Sequence, residues 1–369
     1  MAAVYDLKTG YPNMQLVPRE RLSAITADVL AAGKGWQYGG DLLGLLSARE
    51  QIADFLSDAS GQIVAPNELM ITAGALTAID IVSRTFTQPG DVIVVEDPTF
   101  YFVVGVLRMS HVEVVSVPLG ADGIDLDALD ALCERYGERL KLVYAIPSFQ
   151  NPTGITATHA NRTALVELAQ KRNFIVVEDS TYQLLYYDAP PPPYLKTYDR
   201  DGHVILVGSV SKLVMPGLRT GWIWAQAEQI QKCKAYKDDA GSALTMEIVA
   251  EMIRSGAMAE QVEFARKLYA GKHNRAVAAL DRFAPDWLQW SAPGGGFFIW
   301  MTLPEPLTAA KLEPFVQERG VKIFAGRESY VNPPDDQHLR LCFALLDDDL
   351  LDEGIARLGE ALHAAKKSV

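Results

Sequence analysis

The chain has 369 residues, of which 49% are hydrophobic and 22% are charged, values typical of folded globular proteins and unlike those of disordered or fibrous chains. Its 34 Lys and Arg residues against 46 Asp and Glu give a formal net charge of −12. A chain with this balance has no net basic field for binding nucleic acid, so we expect no nucleic-acid partner.

The first twenty residues, MAAVYDLKTGYPNMQLVPRE, contain no basic segment followed by an apolar core, so no secretory signal is predicted. No apolar run approaches the length that crosses a bilayer, so we expect no membrane partner. The three cysteines, Cys133, Cys233 and Cys342, are far apart and odd in number, a pattern typical of a reducing compartment. The sequence therefore predicts a cytoplasmic protein.

From about residue 62, short apolar runs rich in β-branched residues alternate with helical patterns. The predicted strands are ELMIT (68–72), DVIVVED (91–97), EVVSV (113–117), KLVYAIP (141–147), FIVVED (174–179) and HVILVGS (203–209). Short apolar strands separated by helices indicate a mostly parallel sheet that is covered on both faces. The fold class is therefore predicted to be α/β, with a doubly wound sheet.

After roughly residue 230 the pattern changes to long helices, then to a strand signal in GGFFIWMTL, and then to a last helix. This change predicts a second, smaller α+β domain at the C-terminal end. We place a large α/β domain at 41–270 and a small domain at 271–369. An N-terminal segment at 1–40 precedes them.

Ligands of open parallel sheets bind beyond the carboxyl ends of the strands, where four groups of residues stand out. The first is the turn AGAL, residues 73–76, whose backbone N–H groups at a helix start would favour a phosphate. The second and third are Asn151 in SFQNPTG, and Asp179 with Tyr182 in EDSTY. Each of these three, taken alone, is typical of an ordinary turn or helix cap.

The fourth group is the stretch GSVSKLVMPGLRTGW, in which Lys212 follows a predicted strand. A lysine at a strand end is ordinarily a surface residue, but Ser209, Ser211 and Arg219 beside this one are side chains that bind phosphate. Neighbouring positive charge and partial burial would lower the pKa of Lys212 and favour the neutral amine that attacks carbonyls. Together these residues suit a phosphorylated aldehyde.

This stretch resembles the lysine motif of fold-type I pyridoxal-phosphate enzymes, aminotransferase class I/II, in the branch of the 2-aminoadipate and kynurenine aminotransferases and the aminotransferase-like half of MocR regulators. The resemblance covers almost the whole chain. Six more motifs follow the family's order, namely YGGDLLGLLSARE (38–50), EDPTF (96–100), NPTG (151–154), EDSTY (178–182), PGGGFFIW (293–300) and LRLCFA (339–344). The resemblance implies an enzyme that moves an amino group between an L-amino acid and a 2-oxo acid by a ping-pong mechanism, with pyridoxal 5′-phosphate as cofactor.

The resemblance also implies roles for the residues around the cofactor ring. Lys212 would bind the cofactor aldehyde covalently and later move a proton between the substrate Cα and the cofactor C4′. Asp179 would pair with the pyridinium nitrogen. Asn151 and Tyr182 would hydrogen-bond the phenolic oxygen, and Phe100 would stack on the ring.

By the same resemblance, the phosphate would be held by Gly74, Ala75, Leu76, Ser209, Ser211 and Arg219. Tyr38 matches a tyrosine that reaches the phosphate from the neighbouring subunit, which implies a homodimer with shared active sites. Arg340 would bind the substrate α-carboxylate, with Asn151 also contacting the substrate. The segment around Gly10 would cover the substrate and pack with the small domain.

Several positions depart from the family pattern. Ala75 and Leu76 lack the polar side chains that many relatives carry there, so backbone donors alone would serve the phosphate. Phe100 keeps the stacking surface without a hydroxyl, and the neighbouring Tyr101 is less suited to stacking. The spacing after Tyr38 is one residue longer than usual, which leaves the exact position of that tyrosine open.

Two alternatives stay open at this point. The same motifs serve other pyridoxal-phosphate reactions, such as β-elimination, decarboxylation or oxidase-like chemistry. A non-catalytic sensor like the MocR half is the second alternative; because the resemblance begins within about the first ten residues, we expect no DNA-reading domain ahead of it. The substrate side chain is not predicted, and none of the six histidines pairs with another at ligand spacing, so no metal site is expected.

Overall fold

The computed structural model describes residues 4–38, 40–331 and 335–368. Its helices are α1 Arg19–Ala31, α2 Leu46–Ser60, α3 Ala75–Phe86, α4 Tyr101–Arg108, α5 Leu126–Tyr136, α6 His159–Arg172, α7 Ala227–Cys233, α8 Ala243–Arg254, α9 Ala257–Phe283, α10 Ala309–Glu318 and α11 Asp348–Lys367. Its strands are β1 Tyr5–Asp6, β2 Leu69–Thr72, β3 Val92–Asp97, β4 Glu113–Gly120, β5 Gly123–Ile124, β6 Leu140–Ala145, β7 Ile175–Asp179, β8 Val204–Ser209, β9 Gly221–Trp224, β10 Gln289–Trp290, β11 Phe298–Thr302, β12 Val321–Lys322, β13 Phe324–Ala325 and β14 His338–Cys342.

The largest sheet has eight strands in the order β2-β9-β8-β7-β6-β3-β4-β5. The five neighbouring strands β8, β7, β6, β3 and β4 are parallel to one another. Strand β9 is antiparallel to both β2 and β8, and β5 is antiparallel to β4. All six strands predicted from the sequence are present, as β2, β3, β4, β6, β7 and β8. The predicted α/β class with a mostly parallel sheet is confirmed.

Both faces of this sheet are buried, which explains why its strands are continuous apolar runs instead of alternating ones. Ile93 of β3 joins an apolar cluster with Val82 of α3 on one face. The next residue, Val94, joins a different cluster with Leu165 of α6 on the other face. Helices on the two faces therefore hold the strand ends in fixed positions.

The C-terminal part contains a four-stranded antiparallel sheet in the order β10-β11-β14-β13. Helices α9 and α11 pack against each other beside it. Strand β1 pairs in parallel with β12, with Tyr5 opposite Val321, so the N-terminal segment is tied to the C-terminal part. Helix α9 runs unbroken through the predicted boundary at 270, and the proposed domain limits stay predictions.

The carboxyl ends of β3, β6, β7 and β8 meet at one edge of the large sheet, because these strands are parallel. Strand β2, separated from β8 by the antiparallel β9, points the same way and ends at this edge as well. No helix within the described residues is long and apolar enough to cross a membrane.

Candidate active site

A cavity of about 730 Å³ lies at this edge, a size that holds a cofactor and a small substrate together. Twelve of the fourteen residues proposed from the sequence line it, namely Gly10, Ala75, Leu76, Phe100, Asn151, Asp179, Tyr182, Ser209, Ser211, Lys212, Arg219 and Arg340. Gly74 is not among the lining residues but directly precedes Ala75, which is. Tyr38 does not line the cavity and is 98% exposed.

Lys212 ends a single 3-10 turn, Val210–Lys212, that follows β8. Its Nζ donates a hydrogen bond to the carbonyl oxygen of Gly10 at 2.7 Å. Burial lowers the pKa of Lys212 to about 8, and the positive charge of Arg340 acts in the same direction. A substantial fraction of this amine is therefore neutral near physiological pH and able to attack a carbonyl.

Asp179 is the last residue of β7, and its carboxylate is buried at the base of the cavity. One oxygen accepts hydrogen bonds from the backbone N–H and the hydroxyl of Thr181, at 3.0 and 2.5 Å. The other accepts from the hydroxyl of Tyr144 at 2.8 Å. Burial raises the pKa of Asp179, while these hydrogen bonds and the charge of Lys212 oppose that rise. A cation placed beside this buried carboxylate would be strongly favoured.

The start of α3 forms an anion-binding corner. Gly74 has a φ of 98° and caps α3 without a side-chain hydrogen bond, so no capping side chain among the described residues occupies the first N–H groups of the helix. Arg219 donates to the carbonyl oxygen of Ala73, and a Cβ at position 74 would come within 2.9 Å of its Nη2. Glycine at 74 therefore lets the guanidinium lie against the turn. The hydroxyls of Ser209 and Ser211, 2.8 Å apart, face the same corner.

Arg340, on β14, is 3% exposed and lines the same cavity. Its Nη1 donates to Oδ1 of Asn151 at 2.8 Å, and its Nη2 donates to the carbonyl oxygen of Lys8 at 2.7 Å. The guanidinium lies 4.3 Å from the ring centroid of Phe298 and 4.1 Å from that of Phe324. Its buried Nε has no hydrogen-bond partner among the described residues.

No carboxylate in the described part of the chain forms an ion pair with Arg340. Burying a cation without an acid beside it is costly, and burial lowers the pKa of this guanidinium. An incoming carboxylate would supply the missing counter-charge and a partner for Nε.

The donor set fits pyridoxal phosphate. The uncapped start of α3, with Arg219 and two serine hydroxyls, offers donors for a phosphate dianion. The buried Asp179 suits a protonated ring nitrogen, and Lys212 carries the amine that an aldehyde requires. Arg340 is left for a further anion.

Several residues at the site were missed by the sequence analysis. Tyr144 and Thr181 bind Asp179, Lys8 binds Arg340 through its backbone, and Phe298 and Phe324 enclose the guanidinium. A signal existed for Tyr144, because a hydroxyl inside an apolar strand needs a partner. The sequence contains no comparable signal for Lys8 or Phe324, since their contacts with Arg340 depend on how distant segments of the chain pack.

Comparison with known proteins finds one matching family and several similar proteins. The family described as Aminotransferase class I and II matches residues 4–358. Aromatic-amino-acid aminotransferase 1 of Thermococcus litoralis is 32% identical over 99% of this chain and 89% of its own length. The 2-aminoadipate transaminase of Thermus thermophilus is 33% identical over 96% of this chain and 88% of its own. The crystal structure of Pyrococcus horikoshii kynurenine aminotransferase in complex with PMP superimposes with a TM-score of 0.92, at 31% identity, covering 99% of this chain and 92% of that one.

Proposed function

The chain belongs to the family of class I and II aminotransferases, and on that premise we propose which of its residues perform transamination and on which substrates. It is a pyridoxal-phosphate-dependent transaminase of fold type I. Its substrates are an L-amino acid and a 2-oxo acid, which we propose are converted in a ping-pong sequence. The observation that carries the residue assignment is the position of Arg340, a buried cation without an acid that lines the same cavity as the activated amine of Lys212.

When bound, pyridoxal phosphate supplies an aldehyde that links to amines and a ring that withdraws electrons from the substrate Cα. Lys212 would provide the amine that holds the cofactor, and its Nζ would be the group that takes the proton from the substrate Cα. Asp179 holds the ring nitrogen in its protonated form. Arg219 and the start of α3 bind the phosphate together with Ser209 and Ser211.

Arg340 binds the substrate α-carboxylate through the N–H groups that Asn151 and Lys8 leave unused, with Nε among them. This contact orients the Cα proton toward Lys212, which shares the cavity. The N-terminal segment contacts both Lys212 and Arg340, because the carbonyl oxygen of Gly10 accepts a hydrogen bond from Lys212 and the carbonyl oxygen of Lys8 accepts one from Arg340.

We propose an aromatic side chain for the preferred amino acid. Rings of Tyr11, Phe100, Tyr101, Phe102 and Phe298 line the cavity. Such a wall favours a large uncharged side chain over a charged one. The relative from Thermococcus litoralis is an aromatic-amino-acid aminotransferase by name, which supports the same assignment.

The test is a half-reaction followed by absorbance. Holoprotein mixed with L-phenylalanine should convert its cofactor to the pyridoxamine form and release one equivalent of phenylpyruvate. Added 2-oxoglutarate should then restore the starting spectrum. Release of ammonia or carbon dioxide without the pyridoxamine form would instead indicate elimination or decarboxylation, and no conversion with any amino donor would overturn the proposal.

A homodimer and a cytoplasmic location stay predictions. The rings of Trp36 and Tyr38 are largely exposed on the single chain, which is consistent with a role for Tyr38 in a second subunit. The three cysteines are buried and free, as a reducing compartment would keep them. Light scattering of the purified holoprotein measures the mass directly, and a monomer would contradict the shared-site assignment of Tyr38.

A further inference from the structure

One cation that lines the cavity has no role in the chemistry described above. Among the described residues of the wall, the cations are Lys8, Lys212, Arg219 and Arg340, and the last three serve amine chemistry, the phosphate and the α-carboxylate. Lys8 is left over. Its position is fixed by the carboxylate of Asp6, which accepts hydrogen bonds from the backbone N–H groups of Lys8 and Thr9 at 3.0 and 2.8 Å.

The Nζ of Lys8 donates to the carboxylate of Glu328, at 3.1 Å to Oε1 and 3.5 Å to Oε2. Glu328 lies in the 3-10 turn Gly326–Ser329 that follows β13. The two side chains are 41% and 38% exposed, and Lys8 lines the cavity. An ion pair this exposed adds little stability, and a competing carboxylate can replace one partner at small cost.

Lys8 and Arg340 share one aromatic platform. The Nζ of Lys8 lies 5.4 Å from the ring centroid of Phe324, and the guanidinium carbon of Arg340 lies 4.1 Å from the same centroid. Both cations therefore lie near one ring, and both residues line the same cavity. A dicarboxylic substrate could place its α-carboxylate at Arg340 and its distal carboxylate at Lys8.

We propose that Lys8 and Glu328 form an exchangeable ion pair that lets this cavity accept dicarboxylic as well as aromatic substrates. With an aromatic side chain the pair stays closed, and Lys8 presents a neutralised surface. With a dicarboxylic amino acid or 2-oxo acid, the distal carboxylate of the substrate replaces Glu328 on Lys8. The exchange swaps one carboxylate for another, so no uncompensated charge is buried. This inference rests on the proposed transaminase function, because both kinds of substrate would alternate in one site.

The test compares two unreactive ligands on the holoprotein by calorimetric titration. Glutarate carries two carboxylates, whereas 3-phenylpropanoate carries one carboxylate and an aromatic ring. The ratio of the glutarate affinity to the 3-phenylpropanoate affinity is compared between variants, because a general effect on carboxylate binding cancels in this ratio. In Glu328→Gln, glutarate should gain about threefold over 3-phenylpropanoate, because Lys8 no longer has an internal competitor. In Lys8→Met, glutarate should lose about fivefold relative to 3-phenylpropanoate.

The double variant Lys8→Met/Glu328→Gln should show no gain from the second change, since the gain depends on Lys8. Glu113→Gln is the matched control. Glu113, the first residue of β4, forms a similarly exposed ion pair with Arg139, and neither residue lines the cavity. The ligand ratio of this variant should equal that of the wild type. An unchanged ratio in Glu328→Gln, or a gain that persists without Lys8, would overturn the exchange. Either result leaves the phenylalanine half-reaction untouched, so the two proposals fail separately.

Discussion

The cofactor side and the substrate side of the cavity are assembled in different ways. On the cofactor side, some hydrogen bonds join residues two apart, as between Asp179 and Thr181. Others, such as that from Arg219 to Ala73, join turns that follow different strands at one edge of the sheet. On the substrate side, Arg340 bonds to Asn151 and Lys8, which are 189 and 332 residues away. One sheet edge provides the first side, whereas the second requires three parts of the chain to meet.

The two sides also differ in charge balance. The cofactor side contains the buried carboxylate of Asp179 together with the cations Lys212 and Arg219, whereas the substrate side has the buried Arg340 without an acid. The substrate itself must therefore complete the second side. We infer that changes on the cofactor side act on chemistry, and that changes on the substrate side act on substrate binding with little loss of fold stability.

Lys212→Ala should have the largest effect, because it removes the amine on which the cofactor side depends. We expect turnover to fall by about four orders of magnitude or more. In the wild type, borohydride reduction followed by peptide mass spectrometry should place the cofactor on Lys212.

Lys237 is an internal control for that labelling. Burial lowers its pKa to about 8 as well, but its Nζ donates to the carbonyl oxygens of Leu42 and Ile71, and it does not line the cavity. Label on Lys237 instead of Lys212 would show that a lowered pKa is sufficient and that the geometry of the cofactor side is not needed.

Arg340→Met should reduce kcat/KM for the amino acid by about a hundredfold to a thousandfold, since the α-carboxylate loses its bidentate partner. Cofactor affinity should change little. The melting temperature should change little, because relief of a buried charge without an ion-pair partner offsets the loss of the hydrogen bonds to Asn151 and Lys8. Activity assays, cofactor titration and thermal unfolding measure the three quantities.

Arg162→Met is the matched control for a buried arginine. Arg162 is fully buried and donates to the carbonyl oxygens of Ala157, Pro193 and Pro147 and to the hydroxyl of Ser148. Its loss leaves buried acceptors unpaired, so we expect a melting temperature lower by several degrees. Equal destabilisation by Arg162→Met and Arg340→Met would contradict the view that Arg162 stabilises the fold whereas Arg340 serves substrate binding.

Tyr144→Phe should have a moderate effect on kcat, because Tyr144 acts on the cofactor side through Asp179. The hydroxyl of Tyr144 opposes the rise in the pKa of Asp179, so its removal leaves more of that carboxyl protonated. We expect kcat to fall about tenfold, with the acid limb of its pH profile moved to higher pH and KM for the amino acid unchanged. Tyr136→Phe, which removes a hydrogen bond to the exposed Glu113, should change neither quantity.

Much of the fold followed from the sequence, because buried parallel strands are continuous apolar runs that end in recognisable turns. The six predicted strands lie within three residues of the observed ones at each end. The antiparallel insertion of β9 between β2 and β8 was not predicted. Strand pairing depends on which edges meet in space, and an apolar run such as GWIW fits either direction.

The cofactor side was predictable for the same reason, since its residues directly follow strands and therefore share one edge. On the substrate side, Arg340 was predicted only through the family resemblance. Lys8 and Phe324 were not predicted as site residues. Their contacts depend on the packing of the N-terminal segment against β13 and β14. No local pattern around any one of these residues records that packing.

The smallest effect we expect links the two sides through charge. Binding of pyridoxal phosphate to the cofactor-free protein requires the neutral amine of Lys212, so the attachment rate should rise with pH and reach half its maximum near pH 8. Burial is the main cause of this lowered pKa, and Arg340 adds to it. Removing that positive charge in Arg340→Met makes protonation of Lys212 easier, so the midpoint should move upward by less than about one pH unit. Stopped-flow absorbance measures the rate, and Arg139→Gln on the exposed surface should leave the midpoint in place. A downward shift in Arg340→Met would mean that the substrate side does not act on the amine through its charge.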